Sequence, residues 1–234
     1  MNIPKSKTEG NSALMIDKDA RVIDLTHTIS EIMPVYPGTE GPRLTPASTY
    51  EKDGFKETLL HMFSHTGTHM DAPAHLFAGR TALDAFSASQ FVGSALVIDC
   101  TELKEGDIIT ADFVLRYGAA ADEADFLLFR TGWERYWGKK EYFGEYPCIS
   151  PETADFLIST RKKGIGLDTI GIDPIADEYL HIHRRLLEKN EIVIIENLCN
   201  LAELPSGLFT FCALPMKYEN ADGAPVRAIA IIDR

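Results

Sequence analysis

The sequence predicts a single domain of the α/β (α+β) class, with a mixed β-sheet core flanked by helices. Three observations carry this. Short apolar runs of strand length, such as "SALVIDC" (94–100), "DFLLFRT" (125–131) and "EIVIIE" (191–196), alternate with stretches of helical grammar. The 234 residues contain no repeat, linker or low-complexity block that would divide them. Apolar residues make up 45% and charged residues 25%, an ordinary globular balance, and a chain of this length needs no disulfide or structural metal merely to fold.

The elements follow in order. "RVIDLTH" (21–27) reads as the first strand. "PVYPGTEGP" (34–42) is dense in Pro and Gly and reads as a loop. "FKETLLHMFSH" (55–65) alternates as a strand does. Residues 94–100 form a buried strand. "TADFVLRYG" (110–118) reads as a helix, with Thr110 as its N-cap and Gly118 past its end. Residues 125–131 are again a buried strand. "SPETADFLISTRKKG" (150–164) has the clearest helix signals. Ser150 can accept from the free amides of the first turn, and Pro151 suits the first helical position. Glu152 suits the positive end of the dipole, Arg161, Lys162 and Lys163 the negative end, and Gly164 the left-handed stop. Then come a strand, "IGLDTIGID" (165–173), a short helix, "EYLHIHRRLLEKN" (178–190), and the strand 191–196. "GLFTFCALPMKY" and "APVRAIAIID" supply two more strands. Residues 1–19 are polar and read as a loose arm, which leaves 20–234 as the folded domain.

The formal net charge of −12 disfavours nucleic acid and anionic membranes as partners, since both require basic patches. No apolar run approaches the roughly 20 residues that span a bilayer. The N-terminus lacks the apolar core of a signal peptide. Cys100, Cys148, Cys199 and Cys212 are scattered and form no CxxC pair; they read as reduced, buried thiols of a cytoplasmic protein. The expected partner is a small-molecule substrate.

"SHTGTHMDAPAHLF" (64–77) is the densest stretch of ligand chemistry. His61, His65, His69 and His75, four of the seven histidines, fall in fifteen positions, with Asp71 among them. On a helix, at about 100° per residue, His65, His69 and Asp71 would lie at about 0°, 40° and 240°, so Asp71 would point away. On an extended chain, residues two apart share a face and all three point one way. Gly67 and Pro73 also oppose a helix. Two imidazoles and a carboxylate on one side suit a borderline divalent ion such as zinc or manganese. Three protein ligands leave a position open, as catalytic rather than structural sites do. His75, four residues beyond Asp71, suits a general acid or base. Gly67 leaves space and lets the backbone approach a substrate closely. Glu196 ends the apolar strand "IVII", where a carboxylate needs a partner. His27 has no partner in sequence and reads as structural.

The same residues carry a resemblance. "HTGTHMDAPAH" fills every defined position of the HxGTHxDAPxH signature of the metal-dependent cyclase family, which includes bacterial kynurenine formamidases (arylformamidases) and is similar to isatin hydrolase. "VIDLTHTI", "PVYPG", "LFRTGW", "GIGLDTIGID", "HRRLLEKNEIVIIENLCNL" and "GAPVRAIAI" resemble its other segments, so the resemblance covers roughly residues 21–234. It implies the family's swivelling β/β/α-like fold. It also implies a metal-dependent hydrolase that cleaves an amide C–N bond with metal-activated water, with N-formylkynurenine to kynurenine and formate as the lead reaction. Carried over by position, it implies His65, His69 and Asp71 as ligands of the main metal and His75 as proton donor or acceptor. His183 and Glu196 complete the site. In members with two metals, Asp71, His183 and Glu196 are similar to the second-metal and bridging ligands; Glu196 alternatively takes the proton from water. The family's His-to-Glu spacing is one residue shorter than the thirteen here. "EKNE" reads as a turn extension, and His183 rather than His181 is taken to face the site. Zinc is expected first and manganese second, one or two ions per subunit, in a homodimer or homotetramer.

Kynurenine formamidases typically carry Trp in the loop that here reads "PVYPG", so Tyr36 is a candidate substrate contact together with Gly67. Two alternatives stay open. One is a hydrolase of cyclic amides, as isatin hydrolase is. The other is a non-catalytic member that binds metal or ligand, which would have no use for a free imidazole such as His75. "GWERYWGKKEYFGEYP" (132–147) reads as a lid, a dimer contact or plain loop packing.

Overall fold

Alternation of side chains along a few central strands decides the architecture. The computed structural model describes residues 19–189 and 191–232, so the expected arm, residues 1–19, lies outside the described residues but for Asp19, as does Asn190 of the "EKNE" turn. The strands are β1 (Arg21–Asp24), β2 (Arg43–Ser48), β3 (Glu57–His61), β4 (His69–Asp71), β5 (Val92–Asp99), β6 (Ile108–Ile109), β7 (Phe126–Arg130), β8 (Cys148–Ile149), β9 (Gly164–Leu167), β10 (Val193–Glu196), β11 (Phe209–Pro215) and β12 (Gly223–Ile232). The helices are α1 (Tyr50–Asp53), α2 (Ala111–Leu115), α3 (Ala119–Glu123), α4 (Pro151–Ser159) and α5 (His181–Leu187).

One mixed sheet runs in the order β1-β12-β11-β5-β7-β9-β10-β4. The pairs β5–β7, β7–β9 and β9–β10 are parallel and the others antiparallel. β4 pairs with β10 on one side and with β12 on the other, so the sheet closes into a barrel, with β1 attached outside the ring. On β5, Ala95 and Val97 face inward while Leu96 and Ile98 face outward. Phe126 and Leu128 of β7 and Val193 and Ile195 of β10 follow the same parity. The inner set packs with Met70, Phe211, Ala228 and Ala230. The outer set is covered by α2, α4 and α5 through Phe113, Leu157, Leu186 and Leu187. Each such Leu or Phe contributes about 1.5–3 kcal/mol by leaving water. Two glycines make room inside: a Cβ on Gly164 would come within 2.9 Å of the Phe126 ring, and one on Gly166 within 2.6 Å of Leu198.

The element order agrees with the sequence reading, and the differences have physical causes. The strand expected over 165–173 stops at Leu167, because the next residue turns away. Asp168 accepts from the Thr131 amide at 2.9 Å, the Thr131 hydroxyl at 2.6 Å and the Gly132 amide at 2.6 Å. α4 starts as predicted, with Ser150 accepting from the Thr153 amide at 3.0 Å, but it ends at Ser159. Arg161 takes the left-handed φ of 53°, and Gly164 opens β9 instead of closing the helix. Lys162 donates to the carbonyls of Ala121 and Asp122, capping α3 rather than its own helix. Thr110 stands at the start of α2 without a side-chain cap bond, and Gly118, at φ 51°, leads into α3. β3 forms a hairpin with β2, which the sequence reading did not contain, and every residue of β3 is exposed. Its alternation does not reflect core burial. All four cysteines are free thiols; burial pushes those of Cys148 and Cys199 up to about 12. Among the described residues, no helix is long and apolar enough to cross a membrane.

Candidate metal centre and active site

β4 is three residues long and carries the centre of the site. Met70 faces the barrel interior, so His69 and Asp71 face the opposite side. Antiparallel register sets Glu196 of β10 across from His69, where neighbours on one face of a sheet approach closely. His183, in the first turn of α5, reaches the same place. Its Nε2 lies 3.3 Å from Asp71 Oδ2 and 3.2 Å from Glu196 Oε1. His69 Nε2 lies 3.4 Å from Asp71 Oδ1 and 3.5 Å from Glu196 Oε2. His181 points to solvent and pairs with Asp177 at 2.8 Å, so His183 is the histidine that faces the cluster.

His65 arrives by another route. The extended path expected from His65 to Asp71 holds only from His69 onward, because Gly67 takes φ 67° and turns the chain. A side chain there would be strained, and its Cβ would press on Ile29 at 3.3 Å and Met33 at 3.4 Å. The turn aims the Gly67 carbonyl at two donors, His69 Nδ1 at 2.8 Å and Asn197 Nδ2 at 2.9 Å. It also brings His65 Nδ1 to 2.6 Å from Asp71 Oδ1.

A second tier of residues, which the sequence reading did not single out, fixes these groups. Leu180 precedes α5 and offers no capping oxygen, so the free amides of the helix find Asp173. Its Oδ1 accepts from the Ile182 amide at 2.7 Å and its Oδ2 from the His183 amide at 2.9 Å. Asp173 Oδ2 also lies 2.6 Å from His183 Nδ1, which leaves Nε2 aimed at Asp71 and Glu196. The missing cap at Leu180 was the one signal available for Asp173. The aromatic stretch 132–147 packs behind this tier as its own cluster of Trp133, Tyr142 and Tyr146. Tyr142 donates to Asn197 Oδ1 at 2.7 Å, and Tyr146 donates to the Asp173 carbonyl at 2.6 Å. The stretch is packed structure backing the site.

The donor set fits a divalent ion. His65, His69 and Asp71 form one group of three, Asp71, His183 and Glu196 another, and the half-buried His65, His75 and Asp222 a third, the ligand atoms of each lying within 4.8 Å of one another; Asp71 is common to the first two. Asp71 Oδ2 is buried and accepts no hydrogen bond of good geometry, an expensive condition for a carboxylate oxygen. Protons show the same demand for positive charge. Burial disfavours the imidazolium of His183, yet Asp173, Asp71 and Glu196 hold its pKa well above the ordinary value. Burial likewise opposes charge on His65, but the Asp71 carboxylate and the hydrogen bonds of Asp222 and Asp71 push it up to about 10. Carboxylates gathered here require a cation, supplied by protons or by a metal.

A cavity of about 910 Å³ opens over this cluster. His65, His69, Asp71, His75, His183 and Glu196 line its polar part, and Pro34, Val35, Tyr36, Phe63, Ile170 and Leu180 line the rest, with Gly67 between. Tyr36 is 38% exposed, and its hydroxyl reaches the Ile175 carbonyl at 3.4 Å. His75 sits on the 3-10 turn that Pro73 opens, its ring centroid 4.0 Å from that of His65 and 6.1 Å from that of His183. Among the described residues its ring makes no hydrogen bond. Burial lowers its pKa to about 4, Asp71 and Asp222 opposing and His65 and His183 assisting, so the imidazole is neutral near pH 7. His27 stacks on Trp137 at 3.7 Å and does not line the cavity, which agrees with its structural reading.

Comparison with known proteins places this geometry. Residues 23–174, which contain β4, the His75 turn and Asp173, match the family described as "Putative cyclase". The chain is 33% identical to the kynurenine formamidase of Bacillus cereus, over 91% of this chain and 98% of that protein. It is 26% identical to the isatin hydrolase of Roseibium aggregatum, over 98% of both. Among solved structures, isatin hydrolase A from Labrenzia aggregata bound to benzyl benzoate superposes with a TM-score of 0.80 at 26% identity, covering 92% of this chain and 94% of that one. With its closed mixed barrel and a match that runs through β4, which carries His69 and Asp71, the chain belongs to the cyclase family.

Proposed function

We propose that this protein is a metal-dependent hydrolase of the C–N bond in aryl amides, with N-formylkynurenine as lead substrate. One observation carries the reading: His75, a neutral imidazole whose ring makes no hydrogen bond among the described residues and lies 4.0 Å from Asp222 Oδ2, stands in an apolar-walled cavity beside a cluster that demands cationic charge. A protein that only bound metal would have no use for it. The similarity to kynurenine formamidases supports the amide substrate.

In this reading His65, His69 and Asp71 hold the main ion, and Asp71, His183 and Glu196 hold or bridge to a second. Zinc is the first choice and manganese the second, since imidazole and carboxylate suit both. When bound, a divalent ion supplies Lewis acidity to the amide carbonyl and makes water more acidic. The chain supplies the rest. His75 accepts a proton from the attacking water at a ring nitrogen and returns it to the departing nitrogen, so the amine leaves neutral. Glu196 is held through Oε1 by the Ile172 amide at 2.9 Å, which steadies its Oε2 toward His69. Tyr36, Phe63, Ile170 and Leu180 receive the aryl face and exclude water from it. Gly67 borders the cavity with backbone alone.

A second reading, ring opening of a cyclic aryl amide, is favoured by the similarity to isatin hydrolase A. One assay separates the readings: zinc- or manganese-loaded protein on N-formylkynurenine and on isatin, with a chelated control. Chelator-sensitive release of formate is the expected result. Opening of isatin alone moves the assignment to cyclic amides. Bound metal with neither activity overturns amide hydrolysis, and failure to bind metal overturns the site.

We also propose a homo-oligomer, dimer or tetramer. The β2–β3 hairpin and the segment after it leave Leu59, Leu60 and Phe63 more than half exposed, with Leu59 and Leu60 on opposite faces of β3, apolar groups that packing against a second copy would cover. Sedimentation velocity at micromolar concentration is expected to show no monomer; a monomer there contradicts this.

A further inference from the structure

His65 is the one histidine of the two groups assigned above to the ions that no strand or helix positions. It stands on the turn before β4, and its side chain is 24% exposed. A ring with two free torsions on a turn needs another device to hold it. Resting on the metal assignment above, we propose that Asp222, with Gly223, is that device: a positioning pair that fixes the His65 ring so that Nδ1 is presented to the ion.

Asp222 Oδ2 lies 3.0 Å from His65 Nε2. Gly223, the next residue, faces the ring with no side chain; a Cβ there would come within 2.4 Å of His65 Cε1 and 2.7 Å of Nε2. The ring is therefore held at its edge by a carboxylate and at its face by bare backbone. Asp222 is itself fixed. Ser64 Oγ donates to its Oδ2 at 3.2 Å, and the Tyr218 hydroxyl is shared between its Oδ1 and the Gly223 carbonyl. Its own carbonyl accepts from the Ala72 amide at 2.9 Å, and Gly223 pairs with Asp71 across β4 and β12. The pair is thus tied to both ends of the ligand segment.

The arrangement repeats, in mirrored nitrogens, that of Asp173 and His183. There Nδ1 meets the outer carboxylate and Nε2 faces Asp71; in His65, Nε2 meets the outer carboxylate and Nδ1 faces Asp71. A histidine that donates one N–H to a carboxylate has its tautomer set and its other nitrogen made more basic, and such outer partners are worth about 10–100-fold in metal affinity.

The test measures zinc affinity of the full chain by competition with a chromophoric chelator at one pH, beside the melting temperature of the metal-free protein. Asp222→Asn is expected to weaken zinc binding about 10–100-fold while the metal-free melting temperature holds. Asp222→Glu is expected to recover most of the loss. Gly223→Ala, which pushes the ring from its seat, is expected to weaken binding comparably. Affinity within twofold of the unaltered protein in Asp222→Asn overturns the proposal, as does a glutamate variant no better than the asparagine one. Should Asp222→Asn fail to fold, Gly223→Ala decides by the same twofold limit. Asp173→Asn is the internal standard. If it loses affinity and Asp222→Asn does not, the metal assignment stands and this proposal alone falls. If the unaltered chain binds no zinc, both fall.

Discussion

The inner half of the site and its outer half are held by different parts of the fold. His69, Asp71, His183 and Glu196 are each 5% exposed or less, and they stand on β4, on β10 and at the start of α5. His65, His75 and Asp222 are partly exposed and stand on a turn, a 3-10 turn and the connection into β12. Strand register leaves the inner groups little freedom, which suits holding charge in one place. The outer groups border the cavity, and of them His75 is the one without a hydrogen bond to its ring among the described residues. The contrast teaches that the buried ligands are fixed by regular structure while His65 depends on Asp222 and His75 stands apart from both; on the proposed reading only His75 can be removed without disturbing the ion, and substitutions can break or sharpen that separation.

The largest effect is expected at Asp71, the residue common to the two groups assigned to the ions. Asp71→Ala should lose bound zinc and all chelator-sensitive turnover. Zinc at about 100 times its Kd, which should stabilise the unaltered chain by about 2.7 kcal/mol, should not stabilise this variant. Stoichiometric zinc in Asp71→Ala by elemental analysis would erase the inner half's claim. Next comes His75→Ala, expected to lower kcat about 10²–10⁴-fold with zinc content unchanged. Loss of zinc along with rate would show that the two halves are not separable, and a near-normal rate would remove His75 from the chemistry.

A smaller change is expected at the cavity wall. Tyr36→Ala should raise KM for an aryl amide severalfold while kcat and zinc affinity hold; a fall in kcat instead would place Tyr36 in the reaction rather than in binding. The smallest effect lies outside both halves. Burial lowers the pKa of His27 to about 4, against about 6.5 in an unfolded chain. Between those values the unfolded chain binds the proton and the folded one does not, so this contribution is full above pH 6.5 and is lost as pH falls toward 4. His27→Phe keeps an aromatic ring beside Trp137 and should flatten the acid limb of urea-measured stability in that window. An unchanged limb would show that His27 is not responsible for any of it.

Much of the site was legible because its ligands are local or mark the ends of elements. His65, His69, Asp71 and His75 lie in eleven residues, and Glu196 announces itself as a carboxylate ending a buried strand. Asp173, Asn197 and Asp222 carry no such mark. Each acts on a partner at least ten residues away, His183, Gly67 and His65 respectively, through contacts that exist only once α5, β10 and β12 are in place. The path from His65 to Asp71 reads as extended in the sequence, and the structure departs from that, for a similar reason. The left-handed turn at Gly67 is stabilised by Asn197, which is 130 residues distant.

By itself, then, the sequence determined the alternation of apolar strands with short helices, the local cluster of imidazoles and a carboxylate, and the candidate acid/base beside it. These depend on periodicities and spacings within a few residues, which backbone geometry translates directly. Only the tertiary structure decided that β4 closes a barrel between β10 and β12, that Glu196 and His183 converge on Asp71, and that one carboxylate stands behind His183 and another behind His65. Apart from Asp173 and His183, which lie ten residues apart, those outcomes depend on register between segments more than a hundred residues apart, and register is selected by which packing buries the most apolar surface without stranding a polar group.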